Sequence, residues 1–424
     1  MTATSAPVDV GHLNESEVRS YSREWPAVFS RARGSRIWSN EREYLDFFSG
    51  AGSLNYGHND PCAQRALVDY LSEDGILQSL DMQTDARLEF LRELYDLVLG
   101  PRDLAGYRAM FTGPTGTNAI EAALKCARLA TGRTRALAFT GGFHGVSLGS
   151  LALSSNGAKR SAAGVPLTDA TLVPFDSPSQ EPGEALDWLE RAHFLECPES
   201  ERPACVVMEL VQGEGGVHVA SREWAQGVEL ICHRYGVPLI VDEIQTGCGR
   251  TGRFFSFEHY DLRPDMVTLS KSLSGIGLPL SILLVDPAYD LQDGQHNGTF
   301  RGNNAAFVTA TACLRKYWSD DVLAQRTRDR EDLVTNILVD SGIADRFQVR
   351  GKGQLLGIDL GAADVTAWVA SELFAAGILV ETAGDRGQVL KLLPALTMES
   401  EDLNKGVTAI ADVILRVCRE STAF

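Results

Sequence analysis

A lysine and an aspartate close two apolar, strand-like segments of this chain. Lys271 ends the segment 265–271, and Asp242 ends the earlier segment 237–243. A lysine and an acid at the ends of two buried strands suit pyridoxal 5'-phosphate. The lysine forms a Schiff base with the cofactor aldehyde, and the acid keeps the pyridinium nitrogen protonated so that the ring accepts electrons. The pair therefore predicts catalysis with this cofactor.

A second candidate feature would hold the cofactor phosphate. The segment 111–119 contains Thr115, Gly116 and Thr117 and leads directly into a predicted helix. The first N–H groups of a helix are unpaired, and its dipole is positive there, so an anion is favoured. A Gly-Thr helix entry alone is more often a simple N-cap. Together with the lysine and the aspartate, we interpret it as a phosphate site.

Short apolar strands alternate with helices around these residues. We predict strands over 135–140, 204–209 and 280–285, besides those that end at the lysine and the aspartate, and helices over 85–99, 118–130 and 223–235. This alternation indicates an α/β fold with a mostly parallel sheet covered on both faces. Ligands bind at the carboxyl ends of such strands. Phe143 follows one of them and is a candidate to stack on the pyridine ring.

Composition narrows the class of protein. The chain has 424 residues and a formal net charge of -17, which disfavours binding to nucleic acid or to an anionic membrane. Its eight cysteines form no CxxC pair and its histidines have no zinc spacing, so we expect reduced thiols, no metal and a cytoplasmic location. We also expect no signal peptide and no transmembrane helix.

Motifs in order along the chain resemble those of class III (ω-amino acid type) aminotransferases of fold type I. They lie at residues 45–47, 55–58, 116–117, 143–145, 209–216, 242–252, 299–303, 350–353 and 393–396. The resemblance implies a large cofactor-binding domain over residues 61–325. It also implies a smaller α+β domain built from both termini, residues 1–60 and 326–424. It further implies a homodimer or a dimer of dimers with shared active sites.

The resemblance also implies a role for each candidate residue. Lys271 would hold pyridoxal 5'-phosphate and move the substrate proton, Asp242 would pair with the pyridinium, and Gln245 would contact the phenolic oxygen. Contacts to the cofactor are also implied for Phe143, His144, Glu209, the loop Thr115, Gly116 and Thr117, and Thr299 of the partner subunit. Contacts to the substrate are implied for Asn55, Tyr56, Glu209 and Lys391.

Within the class, the chain most resembles the members that make L-2,4-diaminobutyrate for ectoine synthesis, in residues 50–59, 111–128, 272–279 and 296–304. This implies that glutamate donates its amino group to aspartate 4-semialdehyde, which leaves 2-oxoglutarate. Alternatives are another ω-amino substrate, or a decarboxylase, racemase or aminomutase. A non-catalytic DNA-binding regulator would need a basic helix, which this acidic chain does not indicate.

Three segments depart from the class III pattern. Val146 stands where many members have an arginine for the distal carboxylate of the substrate. Valine cannot replace the bidentate binding of a carboxylate by arginine. Either another part of the site binds the distal carboxylate, or the site presents an apolar wall to its substrate. Lys391 replaces the arginine that takes the α-carboxylate, and we expect it to pair with Glu209, either at the substrate site or as a structural ion pair. The Pro/Glu-rich stretch 177–203 is interpreted as a surface excursion.

Overall fold

The computed structural model describes residues 16–18, 25–40, 42–177, 179 and 181–421. A seven-stranded sheet forms its centre, and every strand but one is parallel to the others; the exception is Ile282–Val285. In spatial order the strands are Arg108–Phe111, Ile282–Val285, Met266–Leu269, Leu239–Asp242, Cys205–Met208, Ala136–Phe139 and Ala170–Val173. The five strands from Ile282–Val285 to Ala136–Phe139 are buried along their whole length, as the sequence predicts for a sheet covered on both faces.

Helices cover both faces of this sheet. They are Pro61–Ser72, Asp85–Glu93, Gly116–Thr131, Leu148–Leu153, Gly157–Ser161, Pro182–Glu190, Arg222–Tyr235 and Asn304–Tyr317. Wide π-helical turns extend two of them, over Leu94–Leu99 and Arg191–Leu195, and single 3-10 turns lie at Gly100–Arg102, Glu199–Glu201, Ser256–His259, Lys271–Ser274 and Pro287–Tyr289. Helix Gly116–Thr131 begins at a capping box between Thr115 and Asn118 and ends at the left-handed Gly132. It packs against two central strands, so its first turn is fixed relative to the sheet.

Two smaller sheets and a hairpin lie outside the centre. Strands Arg31–Arg33, Arg36–Ser39, Arg42–Asp46 and Ile378–Leu379 form the first sheet, and Gln348–Lys352, Leu355–Asp359, Val389–Leu392 and Glu381–Ala383 form the second. The hairpin consists of Val211–Gln212 and His218–Val219. Helices Val322–Asp340, Ile343–Arg346, Ala363–Ala375 and Ser400–Ser421 complete the C-terminal region.

One apolar cluster joins the two ends of the chain. Phe47 is buried among Val334, Val369 and Leu403, and Leu45 pairs in register with Ile378. N-terminal and C-terminal segments therefore share a core. The division of the chain at residues 60 and 325 stays a prediction.

Residues 181–203 of the Pro/Glu-rich stretch contain regular helical structure. Pro182 occupies the first turn of helix Pro182–Glu190, where its missing N–H costs nothing. Leu189 and Phe194 are buried, and Phe194 packs against Tyr235 with ring centroids 5.5 Å apart. The stretch is therefore a helical cover over helix Arg222–Tyr235 rather than a loose surface loop. None of the helices in the described part of the chain has the length and apolar content that a membrane crossing needs.

Candidate active site

Most of the predicted residues meet in one cavity at the carboxyl ends of the parallel strands. Asp242 ends strand Leu239–Asp242, and Lys271 lies two residues beyond the neighbouring strand Met266–Leu269. The cavity is lined by Gly116, Thr117, Phe143, His144, Gly145, Glu209, Glu214, Asp242, Ile244, Gln245 and Lys271. The cavity therefore lies where the rule that ligands bind at the carboxyl ends of parallel strands predicts a site.

Lys271 is held in an unusual backbone conformation. Its φ of 47° is in the left-handed region, which residues with a side chain rarely adopt. The ammonium nitrogen donates to the Ala51 carbonyl at 2.9 Å, from the turn Ser49–Gly52. Burial lowers the pKa of Lys271, and the charge of Glu214 opposes this only in part. A lowered pKa makes the neutral amine, which is both nucleophile and base, more available.

Asp242 is buried, and both of its carboxylate oxygens have hydrogen-bond partners. Its Oδ2 lies 2.8 Å from the Nδ1 atom of His144, and its Oδ1 accepts from the Ile244 N–H and the Thr268 hydroxyl, each at 3.0 Å. Burial would lower the pKa of His144, but the hydrogen bond to Asp242 and its charge raise it above the ordinary value. His144 is therefore placed to donate from Nδ1 to Asp242. Such a carboxylate is suited to hold a protonated pyridinium.

Glu209 also lines the cavity, and its carboxylate accepts hydrogen bonds from backbone N–H groups. Its Oε2 accepts from the Phe143 N–H at 2.8 Å, and its Oε1 accepts from the Gly213 N–H at 3.3 Å. Burial raises the pKa of Glu209 to about 7, and the charge of His144 reduces that shift only in part. Glu209 therefore positions the Phe143 loop, and its charge is sensitive to pH near neutrality.

The expected pair between Glu209 and Lys391 is wrong. The Lys391 ammonium is fully buried and lies 2.6 Å from Oε1 of Glu214 and 3.0 Å from Oε2 of Glu381. Burial would lower the pKa of Lys391, but the charges of Glu381 and Glu214 hold it above the ordinary value. Burial would likewise raise the pKa of Glu214, but Lys391 and then Lys271 lower it to about 2. Glu214, which lines the cavity and which sequence reasoning missed, is therefore the partner of the buried Lys391.

The predicted phosphate loop lies at the start of helix Gly116–Thr131. Gly116 and Thr117 line the cavity, and Thr115 is the N-cap, with its hydroxyl on the Asn118 side chain at 2.8 Å. The Thr117 hydroxyl lies 2.6 Å from that of Ser147. A Cβ atom at Gly116 would lie 2.8 Å from the end of the Ile244 side chain, so a larger residue here would require Ile244 to shift.

Five predicted residues lie outside the cavity lining: Thr115 and Lys391, described above, and Asn55, Tyr56 and Thr299. The Asn55 side chain is buried, donates to the Gly247 and Cys248 carbonyls at 3.2 and 2.9 Å, and accepts from Arg250 at 2.6 Å. The Tyr56 hydroxyl accepts from Trp318 at 2.8 Å, and its ring stacks on Tyr317. The structure therefore does not bring these two side chains to a substrate. Thr299 lies in an exposed loop, and its carbonyl accepts from Gln78.

The cavity fits pyridoxal 5'-phosphate in three respects. It offers a lysine amine for the aldehyde, a buried aspartate for the pyridinium nitrogen, and a helix N-terminus with hydroxyls for the phosphate. In addition, the Gln245 Nε2 donates to the Ala51 carbonyl at 3.0 Å, but its buried Oε1 has no partner among the described residues. Because buried polar atoms are nearly always satisfied, this amide requires a polar ligand group beside it. In the described ranges, no set of three His, Cys, Asp or Glu side chains has an arrangement that could hold a metal ion.

Comparisons with known proteins agree with this geometry. The family model described as aminotransferase class-III matches residues 18–414. The diaminobutyrate–2-oxoglutarate transaminase of Streptomyces avermitilis is 48% identical over 420 residues, 98% of this chain and 99% of the relative. The protein of that name from Halalkalibacterium halodurans is 48% identical over 409 residues, 94% of each chain.

Solved structures resemble the fold over nearly the whole chain. The ornithine aminotransferase of Toxoplasma gondii superposes with a TM-score of 0.80 at 26% identity and covers 94% of both chains. An aminotransferase from Bacillus anthracis has a TM-score of 0.85 at 23% identity, over 95% of this chain and 96% of that one, which supports the fold alone. The predicted fold class, an α/β enzyme of fold type I, is confirmed.

Proposed function

The chain belongs to the class III aminotransferases, and from that premise we propose that it transfers the amino group of L-glutamate to aspartate 4-semialdehyde. The products are L-2,4-diaminobutyrate and 2-oxoglutarate. Like its family, the chain is dependent on pyridoxal 5'-phosphate. When bound, that cofactor receives the amino group from the donor and passes it to the acceptor. The relatives at 48% identity support this choice of substrates.

The contact between Glu214 and Lys391 carries the proposal. Glutamate reacts at a carbon that bears a carboxylate, whereas diaminobutyrate reacts at its C4 carbon, which bears none. A site that accepts both substrates needs a cation to bind the carboxylate on the reacting carbon of glutamate. That cation must be neutralised when diaminobutyrate is bound. The Lys391 ammonium lies 2.6 Å from a carboxylate that also lines the cavity, so it meets both demands if Glu214 exchanges with the substrate.

The remaining residues have separate tasks. Lys271 removes and returns the proton at the reacting carbon, because its lowered pKa leaves a neutral amine available. Asp242 would hold the pyridinium proton, and His144 orients that aspartate through the 2.8 Å contact. Gln245 supplies the amide beside the phenolic oxygen, and Phe143 covers the ring. Thr115, Gly116 and Thr117 receive the phosphate at the helix start.

A paired assay on the purified holoenzyme tests the substrates. L-2,4-diaminobutyrate with 2-oxoglutarate is followed for glutamate formation, in parallel with ornithine, lysine, 4-aminobutyrate and β-alanine as donors. Strong preference for diaminobutyrate supports the proposal. Turnover of another amine without diaminobutyrate would refute the substrate while leaving the family intact. Stoichiometric 2-oxoglutarate from glutamate also separates transamination from a decarboxylase, racemase or aminomutase reaction.

We further propose a cytoplasmic homodimer, or a dimer of dimers, in which Thr299 reaches the phosphate of the neighbouring subunit. The exposure of Thr299 in this chain supports a role at an interface. Sedimentation equilibrium gives the oligomeric state, and a Thr299→Ala variant should bind the cofactor more weakly while remaining an oligomer. A monomeric holoenzyme with full activity would exclude the shared site.

A further inference from the structure

The two proposed substrates have one feature in common at the end remote from the reaction. In glutamate, three C–C bonds separate the reacting C2 from the C5 carboxylate. In diaminobutyrate, three C–C bonds separate the reacting C4 from the C1 carboxylate. One fixed cation can therefore bind the distal carboxylate of both, whereas the α-carboxylate needs an exchangeable partner. Val146, with a side chain that cannot bind an anion, does not supply that cation.

A second recess opens directly beside the cavity and shares two of its walls. Phe143 and Glu214 line both spaces, and the outer one also includes Asn156, Lys159 and Asp385. Lys159 is the one cation among the described residues that line this outer recess. A substrate chain that extends past Phe143 would therefore meet Lys159.

The position of Lys159 is set by its short helix, Gly157–Ser161. The Asn156 side chain caps this helix by accepting from the Lys159 N–H at 3.0 Å. The neighbouring Arg160 guanidinium donates to the carbonyls of Leu151, Ala152 and Ser154 at 3.1, 2.8 and 2.8 Å, which ties the helix to the segment before it. The backbone that carries Lys159 is thus anchored at two points.

The Lys159 ammonium is directed at the cavity wall and is available to an anion. It lies 4.5 Å from the centroid of the Phe143 ring, on which a cation is electrostatically favoured. Within the described ranges it forms no salt bridge, in contrast to Lys391. Its charge also contributes to the field at Glu214, although less than Lys391 and Lys271 do. A lysine is a point charge on a flexible stem, so it tolerates the different orientations of two substrates better than a bidentate group does.

We propose that Lys159 binds the distal carboxylate of both substrates and replaces the arginine that class III members often have at position 146. This inference rests on the proposed function. It makes Lys159 a specificity-determining residue, and it predicts discrimination between amines that do and do not carry a carboxylate at that distance.

Matched pairs of compounds and variants test the proposal. For the Lys159→Ala holoenzyme, kcat/KM for diaminobutyrate should fall at least about tenfold, while that for 1,3-diaminopropane, the same chain without the carboxylate, should stay unchanged. Glutamate should be affected in the same way relative to L-norvaline, which has a methyl group in place of the distal carboxylate. Lys159→Arg should retain most of the preference. Lys405→Ala, at an exposed lysine of the last helix, is the control.

A binding experiment separates this proposal from the proposed function. Calorimetric titration with glutarate, which cannot react, should show weaker binding to Lys159→Ala than to the wild type or to Lys405→Ala. Wild-type enzyme that ignores diaminobutyrate but binds glutarate through Lys159 would refute the proposed substrate only. Equal losses for substrates with and without the carboxylate, or unchanged glutarate binding, would overturn the role of Lys159.

Discussion

Replacement of Glu214 by glutamine should change which substrate the enzyme prefers. In the wild-type site, the α-carboxylate of glutamate must displace Glu214 from Lys391, which lies 2.6 Å away. Glutamine keeps the size and one hydrogen-bond acceptor but removes the competing charge. Glutamate should therefore bind more tightly to Glu214→Gln. Diaminobutyrate has no carboxylate on its reacting carbon, so it should bind no better, or more weakly.

The size of the effect follows from the contact distance. Two unit charges at that distance attract by about 6 kcal/mol at an effective dielectric constant of ~20. Desolvation offsets much of this, so we take about 1.5–3 kcal/mol, near the lower end of couplings measured between close charge pairs. Because ~1.4 kcal/mol corresponds to tenfold, glutamate affinity should rise roughly 10- to 100-fold. Glu381 remains on Lys391 at 3.0 Å, so the loss for diaminobutyrate should be smaller, below about tenfold.

Single-turnover experiments on each half-reaction measure these changes separately. Each amine is mixed alone with the holoenzyme, and the cofactor absorbance is followed as its aldehyde form disappears. Glu401→Gln, which changes an exposed pair on the last helix, controls for loss of one negative charge. If glutamate affinity in Glu214→Gln stays within about twofold of the wild type, Glu214 does not compete for Lys391 and the reasoning is refuted.

Three other substitutions test separate parts of the structure. Asp242→Asn should slow the chemical step by well over tenfold, because a neutral amide lacks the charge that holds the pyridinium proton. A change below about tenfold, ~1.4 kcal/mol, in single-turnover rate would contradict this role. Glu243 is fully buried, and burial raises its pKa to about 7, so the folded state binds this proton more tightly than the unfolded chain does. Its contribution to the free energy of unfolding should fall by up to about 3 kcal/mol as pH rises from ~4.5 to ~7. In urea titrations at about pH 5 and pH 8, the free energy of unfolding of Glu243→Gln should therefore change less with pH than that of the wild type. Asn55→Ala removes one of the three acceptors of the buried Arg250 guanidinium, the one that Nη2 uses, so it should lower the free energy of unfolding by about 2–4 kcal/mol with KM for glutamate unchanged. A raised KM in a stable variant would restore Asn55 to the substrate site.

Strand ends made it predictable from sequence that Asp242 and Lys271 line one cavity. Parallel strands in such a sheet end at a common edge, and Asp242 and Thr268 are direct partners in the register of two neighbouring strands. Lys271 follows that second strand by two residues, so its position near Asp242 follows from the register of the two strands. The fold class followed from the alternation of short apolar strands with helices along the chain. Thr115 was recognisable as a helix start for the same reason, since its capping box is encoded by neighbouring residues.

The partners of Lys391 required information that local pattern does not contain. Glu381 lies directly opposite Lys391 in an antiparallel pair of strands joined through Gly384 and Gly387, so a hairpin prediction over this segment would have found it. Glu214 lies at the tip of the hairpin between Val211–Gln212 and His218–Val219. Its position depends on a long-range bond from the Gly384 N–H to the Glu214 carbonyl at 2.9 Å. The choice of Glu209 failed because only tertiary packing distinguishes the two glutamates.

The two carboxylates on Lys391 have unequal freedom, and this inequality explains how a buried lysine can take part in exchange. An unpaired buried ammonium costs several kcal/mol, so a single partner could not leave without a large penalty. Glu381 is fully buried and fixed by strand register, whereas the Glu214 side chain is a quarter exposed and lies on a short hairpin. With Glu381 as a permanent counter-ion, the exchange of Glu214 for a substrate carboxylate leaves Lys391 paired throughout. Lys391 therefore fits a site in which the α-carboxylate of a substrate exchanges with Glu214. A purely structural ion pair would need only Glu381 and not Glu214, which lines the cavity.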